Sequence, residues 1–195
     1  LSGLFIFASG GAAVYYSYLM FRYTSKAITG NDSYGYASLA KYITQLKVVQ
    51  PIAELSQLDL PPDFTTVFIP ITYIGGPQPG TMVPQYPPGH PMLIAALSLL
   101  FGWETGPFLI GPISVIASSM LTYLIARELG LSRKLSTVAG IMLALTPIVV
   151  YMGLQMISDA PSMALCLGAV YASLACRRKS GFGWVAGMFF GFAVL

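Results

Sequence analysis

GPFLIGPISVIASSMLTYLIA, residues 106–126, runs 21 residues without a charge and stops at Arg127. At a rise of 1.5 Å per residue such a helix covers about 30 Å, the hydrocarbon thickness of a bilayer. Four further apolar runs flank it: Leu4–Tyr23, Leu135–Met152, Ala160–Cys176 and one that begins at Phe182 and continues to residue 195. The spacing predicts spans at 4–23, 106–126, 135–152, 160–176 and 182–195. Leu4–Tyr23 is too long, and lacks the basic leading region, for a cleaved signal peptide. It is read as a first spanning helix.

Composition agrees with the runs. The chain is 55% apolar and only 9% charged, whereas soluble domains carry about a quarter charged residues. The expected architecture is therefore all-α, a polytopic transmembrane helical bundle. The sequence starts at Leu1 and stops within an apolar run at Leu195, and is read as the N-terminal part of a longer protein. The net charge of +3 comes from short clusters beside apolar spans and forms no basic stripe interleaved with aromatics. A nucleic-acid partner is not expected. Cys166 and Cys176 share one apolar run without ligand spacing, so they are assigned to packing.

Residues 24–105 form a long polar loop rich in turn-formers: Pro61–Pro62, Gly75–Gly76–Pro77, Pro79–Gly80 and Pro87–Pro88–Gly89. Such backbone cannot face lipid. Two helices are expected inside it. One covers Ser33–Val49, with Tyr36, Leu39, Ala40, Ile43 and Leu46 on one face. The other, Met92–Phe101, is too short to span. Both are read as interfacial helices. Arg127, Arg133 and Lys134 follow the second span, and Arg177, Arg178 and Lys179 follow the fourth. Basic residues at span ends prefer the cytoplasm, which puts the 24–105 loop and Gln155–Asp159 on the exoplasmic side. The acidic residues Glu54, Asp59, Asp63 and Glu104 fall in that long loop. Arg22 and Lys26 depart from the rule, either pairing with anionic groups or snorkelling to headgroups. Gly183, Gly187 and Gly191, four apart, form a small-residue stripe suited to close helix packing.

Candidate chemistry gathers on the exoplasmic side. Asp32, in Gly30-Asn31-Asp32-Ser33-Tyr34, and Asp159, in Ser158-Asp159-Ala160-Pro161, share that face by this topology. A carboxylate held at the lipid boundary is partly desolvated and a better base, suited to removing a hydroxyl proton. Each also has a plain reading: Asp159 as a helix cap followed by first-turn proline, Asp32 as an Asx-turn or cap. His90, the sole histidine, lies in Tyr86-Pro87-Pro88-Gly89-His90-Pro91. It is suited to donating to a phosphate or carrying charge below about pH 6.5, or simply to bonding a backbone carbonyl. Lys41, Lys47, Arg22 and Lys26 are the basic groups on that side for a phosphate ligand. No Walker loop, dinucleotide fingerprint or nucleophile elbow occurs. No ionisable residue lies mid-span, where ion-coupled transporters keep one.

The order of these features resembles the N-terminal module of the GT-C membrane glycosyltransferases. A span leads to Asp32 and an interfacial helix, then to Tyr86-Pro87-Pro88-Gly89 and a short apolar helix. A span ending in Ala126-Arg127-Glu128-Leu129-Gly130 follows, then Thr146-Pro147, then Ser158-Asp159-Ala160-Pro161. Nearly the whole chain takes part, and the branch it is most similar to holds protein mannosyltransferases and aminoarabinose transferases. The resemblance implies inverting transfer of a sugar from a polyprenyl-phosphate donor to a protein, lipid or glycan acceptor at the exoplasmic face. It implies Asp32 as general base and Asp159 as the supporting acidic residue; Tyr34, Lys41, Tyr86 and His90 are this chain's own candidates for binding substrate. The chain departs from the pattern in three places: Asn31 and Ser33 flank Asp32, where relatives often carry a second acidic residue. Gly35 stands where relatives carry a basic residue one turn after the aspartate, and Tyr86 where aminoarabinose transferases carry a lysine. No cofactor is expected, and a divalent metal is left open. The alternatives are a non-catalytic carrier of lipid-linked sugars on the same scaffold, or part of a transporter.

Overall fold

A computed structural model describes residues 2–28, 30–52, 67–178 and 181–194. The expected turn at Pro61–Pro62 lies outside the described residues, as do Glu54, Asp59, Asp63 and Lys179. Eight helices are present among the described residues: α1 (Ser2–Tyr23), α2 (Gly30–Thr44), α3 (Gly89–Phe101), α4 (Gly106–Glu128), α5 (Arg133–Ala144), α6 (Pro147–Gly153), α7 (Asp159–Ala175) and α8 (Phe182–Val194). The chain divides into two compact units, Leu1–Lys26 with Phe108–Leu195, and Ala27–Pro107.

In the first unit, Met20, Val115, Val149 and Ala160 form a buried cluster that joins α1, α4, α6 and α7. α4 is long and apolar enough to cross a membrane. The run expected as one span at 135–152 is instead two helices, α5 and α6, bent by 63°. The cause is Pro147, whose nitrogen cannot donate to Leu143 O. Thr146 N takes that carbonyl at 3.1 Å. The next carbonyl, Ala144 O, accepts from Tyr16 OH at 2.7 Å, so α1 satisfies a group that the break would leave orphaned. The bent pair is long and apolar enough to cross a membrane only when taken together, and α7 and α8 are shorter apolar helices.

Among the described residues the glycine stripe of α8 meets a neighbour only at Gly183, where a Cβ would lie 3.5 Å from Cys176 Sγ. A Cβ on Gly187 or Gly191 would meet nothing within 4 Å. The close approach comes from α7, where a Cβ on Gly168 would lie 3.1 Å from the Phe189 ring.

The second unit holds α2, α3 and a small sheet that the all-α expectation lacks. Its strands are β1 (Gln50–Pro51), β2 (Tyr73–Gly75) and β3 (Thr81–Pro84), in the order β1-β3-β2 and antiparallel throughout. Gly76–Gly80 turns β2 into β3, with Gly80 at φ 74° and Thr81 N donating to Gln78 O at 3.1 Å. α2 ends at Thr44, five residues before the expected Val49. Lys47 N donates to Tyr42 O and Leu46 N to Ile43 O, with Leu46 at φ 53°. That is a Schellman cap, and it throws Leu46 off the apolar face to 91% exposure. α3 begins at Gly89 rather than Met92, because Pro91 falls in the first turn, where no N–H is needed.

A carboxylate–phenol pair in the second unit

The candidate site is assembled by the turn between β3 and α3. Gln85 fixes that turn to the start of β2: its N–H donates to Thr72 O at 3.1 Å and its Nε2 to Ile71 O at 3.2 Å. The next residue, Tyr86, then reaches α2, and its hydroxyl donates to Asp32 Oδ1 at 2.5 Å. A phenol–carboxylate bond of that length is charge-assisted. The bond, with some burial, pushes the Tyr86 hydroxyl up to about 12.

Asp32 sits in the first turn of α2, where the helix dipole favours negative charge. Within the protein its carboxylate is exposed. The bond to Tyr86 occupies Oδ1 and leaves Oδ2 able to accept from a second group.

Gly35 makes the pairing possible. A Cβ there would lie 2.7 Å from Tyr86 Cδ2 and nearer still to Cε2. The absence of a basic residue one turn after Asp32 thus has a steric reason: the Tyr86 ring fills that space. Tyr36 continues the cluster, its ring 4.6 Å from that of Tyr86 and 4.8 Å, edge-on, from that of His90. Tyr73 ties α2 to the sheet farther along, with its hydroxyl 3.3 Å from that of Tyr42.

His90 lies in the first turn of α3 and is buried, with neither ring nitrogen hydrogen-bonded. Burial pulls its pKa down to about 4. Burial thus disfavours the charged ring expected below about pH 6.5, and no backbone carbonyl is bonded. Thr72, whose Cβ would touch a side chain at Gly35, is also buried with its hydroxyl unpaired.

Two other candidates on α2 are not brought to this cluster. Lys41 is nine residues beyond Asp32 on α2, about 13 Å along the axis and on the opposite side of the helix; it is exposed. Tyr34, two residues on, points away from the Asp32 face and is 55% exposed. Asp159 belongs to the first unit. It is the first residue of α7 rather than its cap, a position taken by Ser158, and it is exposed. Among the described residues, no group of three His, Cys, Asp or Glu is gathered to hold a metal. Sequence reasoning missed Gly35 and Thr72 as site-builders. A glycine one turn after an acidic candidate is the signal that could have exposed the first; Thr72 leaves none.

Among the described residues one helix is long and apolar enough to cross a membrane, the bent pair is so when taken together, and three shorter apolar helices accompany them. The family model described as dolichyl-phosphate-mannose-protein mannosyltransferase matches residues 85–195, more than half of the chain, and the chain belongs to that family. The family is one of integral membrane glycosyltransferases of the GT-C type, and membership implies dependence on a lipid-phosphate-linked sugar. No curated protein and no solved structure matches the chain. The family match opens at Gln85, so Tyr86, His90 and Asp159 fall inside it while Asp32, Tyr34 and Lys41 precede it.

Proposed function

We propose that this chain forms the N-terminal part of an inverting membrane glycosyltransferase, moving mannose from a polyprenyl-phosphate carrier to a protein hydroxyl at the exoplasmic face. In the displacement, the acceptor oxygen attacks the anomeric carbon and the bond from that carbon to the carrier phosphate breaks. Asp32 takes the acceptor proton, and the carrier leaves as polyprenyl phosphate. The family donor is dolichyl-phosphate mannose and its acceptor a protein, which supports this choice of substrates.

The observation that carries the reading is the Asp32–Tyr86 pair. A hydrogen bond from Tyr86 fixes the rotation of an exposed carboxylate and leaves one oxygen for an incoming hydroxyl. A residue serving only as a helix cap would gain nothing from a partner fifty-four positions away in sequence. In the multi-pass reading, α2 and α3 lie in the interface. Leu99, Leu100 and Phe101 are exposed on α3 while Ile94, Ala95 and Ser98 are buried, which gives that helix an apolar outer face suited to lipid.

The test is Asp32→Asn in the full-length protein, assayed for transfer from polyprenyl-phosphate mannose in membranes. Asn keeps the shape and the capping capacity and removes the base. Transfer is expected to fall by about 10²–10⁴-fold with expression unchanged; retained transfer would remove Asp32 from the chemistry. Asp159→Asn is tested separately, since it belongs to the other unit.

A further inference from the structure

Two cavities in the first unit run into one another. One, of about 420 Å³, is an apolar slot between α1, α4 and α5, walled by Ala12, Ala13, Tyr16, Met120, Ile141 and Leu145. The other, of about 720 Å³, is lined by Arg127, Arg133 and Arg178 and by one acidic residue, Glu128. Ser9, Tyr123 and Thr137 line both, so the slot and the basic mouth adjoin.

The three arginines are unequally committed. Arg178 Nη2 pairs with Glu128 Oε2 at 2.8 Å, and Arg127 Nη1 donates to Leu131 O at 2.6 Å. Among the described residues Arg133 has no anionic partner. Arg133 and Lys134 open α5, whose first turn holds no acidic residue. Cations at that end oppose the helix dipole, a placement that becomes favourable when an anion is bound between them. Three guanidinium groups against one carboxylate leave an excess of two positive charges at the mouth.

We infer that this groove binds one anionic phospholipid, its acyl chain in the slot between α1, α4 and α5 and its phosphate at Arg133, flanked by Arg127 and Arg178. Basic pockets between spanning helices are suited to such headgroups. The slot alone has the volume of an ordinary ligand site. Arg178 follows the C-terminal end of the 17-residue α7, whereas Asp159 begins it, so the two ends of that helix are about 25 Å apart. The lipid site therefore stands or falls independently of the transfer reaction.

The experiment uses the full-length protein, reconstituted with equal amounts of phosphatidylglycerol and phosphatidylcholine of identical chains, then released into mild detergent for native mass spectrometry. The wild type is expected to retain phosphatidylglycerol over phosphatidylcholine by about tenfold. Arg133→Gln should abolish that preference and Arg133→Lys should keep most of it. Ala12→Phe, at an exposed position, fills the slot and should remove both lipids while sparing the arginines. Equal retention of the two lipids by the wild type overturns the inference, as does an unchanged preference in an Arg133→Gln protein with wild-type melting. Displacement of phosphatidylglycerol by inorganic phosphate alone, insensitive to Ala12→Phe, would mark a free-phosphate site and overturn the lipid assignment.

Discussion

Gly35 and Tyr86 occupy one space between them, and that exchange sets what the residues around Asp32 can do. Tyr86→Phe keeps the ring against Gly35 and removes only the hydroxyl. Transfer is expected to drop by about tenfold while thermal stability changes by no more than about 1 kcal/mol, since the bond is exposed; parallel transfer assays and melts check this. His90 gives the pH-dependent prediction. Its folded-state pKa, about 4, lies below the ordinary value of 6.5, so the folded state holds the neutral ring. The associated stability is fully present above about pH 6.5 and is lost as pH falls toward 4. Melting of the wild type at pH 7.5 and 4.5 should therefore diverge by on the order of 3 kcal/mol more than in His90→Gln. Asp32, Tyr86 and His90 were legible in the sequence as polar residues beside turns and helix starts. Their bonding was not: the contact between positions 32 and 86 depends on the register of β3 and the two bonds of Gln85, which no local pattern encodes.

At the scale of elements, apolar run length located α1, α4, α7 and α8 to within two residues at each described end. Run length did not show where backbone chemistry interrupts a helix. Pro147 split the third run although Thr146–Pro147 stood in plain view, because apolar composition continues through it. The strands were missed for a different reason. At two to four residues each, they are too short to show alternation, and their pairing comes from the turn at Gly76–Gly80. The α2 terminus offers a clean test of its cap. Leu46 takes a left-handed conformation that costs a side-chain-bearing residue about 1–2 kcal/mol, and it is almost wholly exposed. Leu46→Gly is expected to raise stability by about 0.5–1 kcal/mol, the gain being reduced by the greater freedom of glycine in the unfolded chain. A thermal melt of the full-length protein measures it, and a lowered midpoint would deny the cap.

For the whole molecule, composition alone announced a membrane protein, and the order of motifs announced the family that the match over residues 85–195 bears out. Orientation is a matter of basic-residue placement and is open to direct test. With Cys166 and Cys176 replaced by Ala, a cysteine at Asn31 should react with a membrane-impermeant thiol reagent applied from the exoplasmic side. A cysteine at Leu129 should react only after permeabilisation; the reverse pattern would invert the topology. The bend between α5 and α6 bears on the bilayer itself. Twelve residues of α5 rise about 18 Å, and seven residues of α6 inclined at 63° add only about 5 Å along the same direction. That pair falls several ångströms short of the hydrocarbon thickness. Were the pair to cross as one span with α5 along the membrane normal, lipid beside it would have to compress to meet it, and the protein would carry on one flank a dimple in the membrane, where headgroups and water stand closer to the midplane.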